Sequence, residues 1–281
     1  MSLRSKNLRF SKPPRTLRAL IALIVAVALL APMNFVLITP GTPTKLFPKV
    51  LTIDDPDKVL THKVNGQLYL LTIFVTNPET QVVGASVLGC WVWGDCVVVP
   101  RSAIYQKRAT NKAERAAGTK EMKESQNLAL VAAKRSIARY FPEIDLSRVT
   151  DSSIKVSLKN TGGPSGGIIF TLGLIDLLTP KDILAGRKIA GTGTIDGEGK
   201  VGAIGGVTEK IIGAKRAGAE ILFISQENCG DLPNEVEGIE VVAVESIDQV
   251  VGYLLAAKSG ENSSPQDFDS AGIRGCASVG A

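Results

Sequence analysis

At 281 residues the chain has room for one substantial domain with appendages or two small domains, and 44% apolar residues supply a packed core. Aromatic residues, at 5%, are too few for a surface that stacks nucleobases or sugars. The formal charge of +5 reflects Arg4, Lys6, Arg9, Lys12, Arg15 and Arg18, with no acid among the first eighteen residues. The remainder is close to neutral, so the basic balance describes a tail over 1–18 and implies no nucleic-acid partner.

Ala19 to Ile38 follow as twenty residues without a charge, about the length a helix needs to cross hydrocarbon. Basic residues before the span and few after it predict a single-pass protein of the cell membrane. Its N-terminus is then cytoplasmic and its bulk extracytoplasmic. Pro32 and Asn34 weaken the far end, and Ala26-Val27-Ala28 could pass as a cleavage site. Leu29 and Leu30 extend the apolar run, however, and the expectation is an uncleaved anchor over 19–38.

Pro40, Gly41, Pro43, Pro48 and Pro56 mark 39–65 as a linker or irregular lead-in. From Gly66 the runs LYLLTIFV, VVGASVLG and CVVVP read as strands, making 66–116 a strand-rich part. Trp91 and Trp93 alternate with Val92, which puts both rings on one strand face, in a core or an interface. Cys90 and Cys96 are close enough to bridge a loop in an oxidising compartment. Cys229 and Cys276 have no obvious mates, and the reading adopted for the cysteines is buried or idle thiols. No Cys/His cluster suggests a metal, and none is expected.

A polar stretch over 106–118 leads to a helix near Thr119–Tyr140, with Met122, Gln126, Ala129, Ala133, Ile137 and Tyr140 on one stripe. Pro142 ends it. Next come a strand at IKVSL, a glycine-rich turn, and a segment over Ser165–Leu178 that is apolar nearly all round, as a buried helix requires. Strands are predicted at 188–195, 221–225 and 239–244, and a helix near 207–217. A last helix begins after Ser246, with Ile247, Val250, Val251, Leu254 and Leu255 on one face. The tail over 258–281 is polar and predicted to lack fixed structure.

The turn Thr161-Gly162-Gly163-Pro164-Ser165-Gly166-Gly167 stands between a strand and a buried helix. A serine there meets unpaired N–H groups and the positive end of the helix dipole, which can hold an oxyanion. It can equally be a cap in a tight turn. A nucleophile needs a base, and the single histidine, His62, lies far off in sequence without a supporting signature. Lys210, which follows Gly205-Gly206-Val207-Thr208-Glu209 near a helix start, is the better placed amine. Burial there disfavours its charged form.

The passages GTKEMKESQNLALVAAKRS, IKVSLKNTGGPSGG and IAGTGTIDGEGKVGAIGGVTEKIIGAKRAGAEILFISQENCGDL together resemble the proteolytic domain of Lon proteases. The likeness covers 117–257, with a weaker extension back to Gly66. It implies an α+β Lon-type domain behind a single N-terminal transmembrane helix, with 117–257 as catalytic core. It further implies Ser165 as nucleophile, Lys210 as general base and Thr192 as support for the lysine. The backbone N–H groups of Ser165 and Gly166 would form the oxyanion site. ITPG, LTPKD and AGAEILFISQENC are similar to a membrane-anchored bacterial branch, several of whose members carry a PDZ domain. Between Phe141 and Ile154 there is no room for that insert. Gly162 stands where ATP-dependent Lon has an acid, whose role does not carry over.

No GxxxxGK[ST] phosphate loop occurs, and Asp196 breaks a GxGxxG reading of GTGTIDGEGK, so no nucleotide and no cofactor are expected. The expected partners are a protein or peptide substrate and the membrane through the N-terminal helix, with homo-oligomerisation left open. The expectation is an ATP-independent serine endopeptidase acting on flexible or unfolded segments. Its rivals are a catalytically idle membrane scaffold and a nucleotide-binding module.

Overall fold

The computed structural model describes residues 14–53, 59–158, 161–259, 273–274 and 276. Helix α1 (Arg15–Leu30) takes up the first part of the charge-free run and stops at Ala31, which is extended (φ −61°, ψ 134°) because Pro32 follows. Beyond it the chain turns into β1 (Pro32–Met33) and β2 (Phe35–Pro40). The expected transmembrane helix over 19–38 therefore does not form. α1 has 16 residues, about 24 Å of helix, and among the described residues no helix is long and apolar enough to cross a membrane.

The stretch expected as a linker contributes β3 (Thr44–Lys45) and β4 (Leu51–Ile53). It also buries Leu46, Val50, Leu51 and Val59 in the core. The LYLLTIFV run divides into β5 (Gln67–Leu70) and β6 (Ile73–Val75), which belong to different sheets. Next, β7 (Val82–Val83) pairs with β1. The VVGASVLG run, expected as a strand, becomes α2 (Gly84–Trp93). Its residues are small or apolar throughout, a pattern that suits either state, and contact with α1 decides for helix. A Cβ on Gly84 would overlap the carbonyl oxygen of Ala28, and Gly94, at φ 75°, ends the helix. Trp91 and Trp93 thus lie on a helix and both are exposed, which rules out the core reading.

The chain returns through β8 (Val97–Pro100), and β2 pairs with β6 and β8 in a three-stranded antiparallel sheet. After the short α3 (Arg101–Ile104), α4 (Asn111–Tyr140) begins ahead of the predicted start. Thr110 caps it, its Oγ1 accepting from Ala113 N–H at 3.2 Å. β9 (Ile154–Val156) pairs with β4, and α5 (Gly167–Leu178) is buried everywhere except at Leu177.

The remaining elements follow the predicted order, except that the strand at 188–195 divides in two and β12 was not predicted: β10 (Lys188–Thr192), β11 (Thr194–Ile195), β12 (Val201–Gly202), α6 (Val207–Ala217), β13 (Ile221–Ser225), β14 (Glu240–Val244) and α7 (Ile247–Ser259). Most of the tail lies outside the described residues, but β15 (Ile273–Arg274) pairs with β14 and Cys276 is bonded to Cys229. Where it is described, the tail expected to lack structure is therefore fixed to the main sheet. Both cysteine pairs, Cys90–Cys96 and Cys229–Cys276, are disulfides, which corrects the reading of idle thiols.

The main sheet runs β15-β14-β13-β10-β5-β3, parallel but for β3, within a mixed α/β structure. Its central strands are apolar on both faces, as a sheet covered on both sides requires. Leu68, Leu70, Ile189, Phe223 and Val242 join one core with α4, α5 and α7. Alternate residues, Tyr69, Ala190, Leu222, Ile224 and Val241, join a second core with α6. The period of two along each strand thus distributes the helices between two layers.

Candidate active site

Ser165 ends the glycine-rich turn immediately before α5, with Gly166 as the helix N-cap. Three glycines make the approach feasible. A Cβ on Gly162 would press within 3.0 Å of the Gly118 backbone in α4, one on Gly166 would meet Leu70 and Phe170 at 2.7 Å, and one on Gly167 would meet Ile195 N at 2.7 Å. The turn is also tied from both sides. Gly163 N–H donates to Gly118 O at 2.9 Å, and Ser125 Oγ, buried on α4, donates to Pro164 O at 3.0 Å. The Ser165 carbonyl accepts from Gly193 N–H at 3.0 Å and from Thr192 Oγ1 at 3.3 Å. With its backbone held in this way, Ser165 remains half-buried with its side chain toward a cavity.

Lys210 reaches the same cavity from the other layer. α6 starts from Gly206, whose φ of 69° suits glycine, and Lys210 N–H closes the first turn onto Gly206 O at 3.0 Å. Its side chain is 3% exposed. Burial lowers the ammonium's pKa to about 8, while the neighbouring Glu209 carboxylate pulls the other way. The cavity, about 630 Å³, is lined by Ser165 and Lys210 together with Thr72, Thr161, Thr194 and Met122. It lies beyond the carboxyl ends of β5 and β10, where the helices of the two layers converge. No hydrogen bond joins Ser165 Oγ to Lys210 Nζ in this structure. Such contacts often tighten only when substrate is bound.

Thr192 is fully buried at the end of β10, and its hydroxyl donates to the Ser165 carbonyl. Gly166 places its N–H at the helix N-terminus, where no intrahelical acceptor exists. His62 lines a separate cavity beside Phe47, Leu51 and Leu177. Among the described residues no cluster of His, Cys, Asp and Glu could hold a metal.

One wall was not foreseen. Ala203, Ile204 and Gly205 line the cavity, and the short helix over 226–231 holds them. Asn228, 1% exposed, accepts from Ile204 N–H at 3.0 Å and donates to Ile204 O at 2.8 Å, while Glu227 accepts from Ala203 N–H at 3.1 Å. An asparagine following two polar residues has no periodic signature, so only the fold reveals it.

Compared with known proteins, residues 81–257, which include Ser165 and Lys210, match the family described as the Lon protease (S16) C-terminal proteolytic domain. The chain belongs to that family. Over 144 residues it is 37% identical to a Lon protease of Roseiflexus castenholzii, covering 49% of this chain and 18% of that protein. It is 34% identical over 189 residues to Lon protease 2 of Herpetosiphon aurantiacus, covering 63% of this chain and 23% of that protein. A Lon protease of Haemophilus influenzae is 40% identical over 97 residues, 33% of this chain and 12% of that protein. The chain thus spans less than a quarter of the length of these relatives.

Proposed function

We propose that this Lon-family chain is a serine endopeptidase in which Ser165 is the nucleophile and Lys210 its general base. One observation carries the reading. A half-buried serine at a helix N-terminus and a buried lysine with a pKa lowered to about 8 line the same cavity. Neutral Lys210 takes the Oγ proton as the hydroxyl attacks a peptide carbonyl. The N–H groups of Ser165 and Gly166 stabilise the oxyanion, and Lys210 then delivers its proton to the leaving amine. Water deprotonated by Lys210 clears the acyl-enzyme. Thr192 acts as a positioning residue through the Ser165 carbonyl.

The substrate is an extended, unfolded segment. A second cavity of about 820 Å³ shares Ile73, Phe74, Met122 and Gly162 with the first, so the pair forms a groove. Along it runs β6, an edge strand of its sheet, which can pair with an extended peptide. We infer further that cleavage needs no nucleotide, because the glycine-rich run 191–200 is spent on β10, β11 and a tight turn. Attachment to a membrane through α1, with the catalytic domain on the extracytoplasmic side, completes the reading. It is supported by basic residues ahead of a helix with no buried residue and by two disulfides, which persist in oxidising compartments.

Purified protein should cleave an unstructured casein-like substrate without ATP, and Ser165→Ala should reduce the rate by roughly 10³-fold or more. A serine-reactive fluorophosphonate should label Ser165. If the folded protein is neither labelled nor active across pH 7–9, the idle-scaffold reading takes over. Degradation of a stably folded protein by the enzyme alone would contradict the unfolded-substrate reading.

A further inference from the structure

Helix α2 turns an apolar face outward. Leu88, Trp91, Val92 and Trp93 are exposed, the two indoles at 79% each, and GASVLGCWVW contains no charged residue. The face is also held rigidly. Cys90 is buried and bonded to Cys96, Gly84 abuts Ala28 of α1, and Asp95, just beyond the helix, is paired with Arg216 at 2.6 Å. The rings therefore cannot fold back into the core. Where α2 begins, α1 ends, adding exposed Ile24, Val27 and Leu30 to the same apolar region.

The charge in this part of the chain is one-sided. No acid precedes Asp54, whereas Arg15 and Arg18 stand at the head of α1 and Arg4, Lys6, Arg9 and Lys12 come before them. A rigid apolar face with two indoles, packed against a helix whose only charges, Arg15 and Arg18, are basic, complements an anionic lipid surface. Tryptophan prefers headgroup depth, where the ring is dehydrated and its N–H stays wet. Cations beside an apolar helical face add attraction to anionic lipids.

We propose that α2 lies on the lipid bilayer as a second contact beside α1, with Trp91 and Trp93 at headgroup depth. The inference rests on the membrane reading above and goes beyond it. It makes the catalytic body a docked one, because α2 leads directly into β8, and β8 pairs with β2 in the sheet that carries β6 along the groove. Two contacts on either side of the β1–β7 ribbon restrict how that groove can tilt from the membrane.

Both tryptophans of the chain are in α2, so intrinsic fluorescence reports on this helix alone. The full chain is mixed with vesicles of phosphatidylcholine and phosphatidylglycerol and floated on a gradient. The emission is then recorded with lipids brominated near to or far from the headgroup. The expected result is co-flotation, a blue-shifted emission, and stronger quenching by shallow than by deep bromines. Leu88→Gln with Val92→Gln, which keeps both indoles, should weaken vesicle binding roughly tenfold and leave cleavage of a soluble peptide unchanged. Co-flotation with an unshifted, unquenched emission overturns the α2 contact and leaves attachment through α1 standing. Absence of flotation overturns the membrane reading and this inference with it. A blue shift that ignores bromine and grows with protein concentration assigns the face to a second copy of the chain and overturns the lipid contact.

Discussion

Helices α5 and α1 are both apolar along most of their length, yet their surroundings are opposite. Every residue of α5 except Leu177 is buried, whereas α1 buries none. The difference lies in what surrounds them. α5 is packed on the main sheet, with α4 and α7 also against it. α1 touches α2 near the β1–β7 ribbon and meets little else. Apolar character supplies the driving force for burial, but the fold decides whether protein provides the partner. The two regions consequently carry different roles in the proposed function: burial around α6 lowers the pKa of an amine, and exposure of α1 and α2 would leave a surface for another phase.

The contrast can be broken most directly in α5. Phe170→Ala removes a ring that is 1% exposed and should cost about 3–5 kcal/mol in denaturant unfolding. A loss below about 1 kcal/mol would show the helix to be loosely packed. Next in size is Lys210→Met. The folded pKa of about 8 lies below the ordinary 10.5, so the folded state binds fewer protons between those values. Stability from this group therefore rises as pH increases from about 8 to 10.5, and below about 8 the buried ammonium is a cost. Replacing it should raise stability at pH 7 by about 2–3 kcal/mol while peptidase activity collapses. The same titration predicts that kcat/KM rises with pH to a midpoint near 8, and that Glu209→Gln moves the midpoint down by removing the charge that favours the ammonium. A flat profile across this range would sink the general-base role.

Smaller still is Thr192→Val, which keeps the shape of a buried residue and deletes its hydrogen bond to Ser165 O at 3.3 Å. About 1 kcal/mol of stability should go, with kcat falling more than KM rises, because only the nucleophile's placement changes. At the bottom stands Leu23→Ser in α1. Its side chain is exposed, so unfolding should change by no more than about 0.5 kcal/mol, while vesicle binding weakens. A large destabilisation would mean that α1 packs on protein after all.

What could be read in advance divides along the same line. α5, α6 and β13 were legible because apolar runs and glycine-bounded turns coincide there, whereas Ser165 and Lys210 were singled out only by the resemblance to Lon proteolytic domains. The alternation inside β5, β10, β13 and β14 carried less, since strands apolar on both faces look like continuous runs. The region before α4 misled for physical reasons. A charge-free run over 19–38 had to be cut at Pro32 and shared with a sheet, and GASVLG had no alternation to distinguish helix from strand. The pairing of Cys229 with Cys276 depends on β15 lying beside β14, a long-range contact that no local pattern encodes. The same holds for Asn228, whose grip on Ile204 exists only once β12 and the short helix over 226–231 are neighbours.

The turn that carries Ser165 leads into α5 while Lys210 stands on α6 in the opposite layer of the main sheet, and under the proposed dyad that arrangement would work as a safety catch. A nascent or partly opened chain holds its hydroxyl on one half and its amine on the other, with water around both and the amine fully protonated. On the proposed mechanism, hydrolytic power would be acquired only when the sheet closes between the layers, so an unfinished molecule would not digest itself or its neighbours.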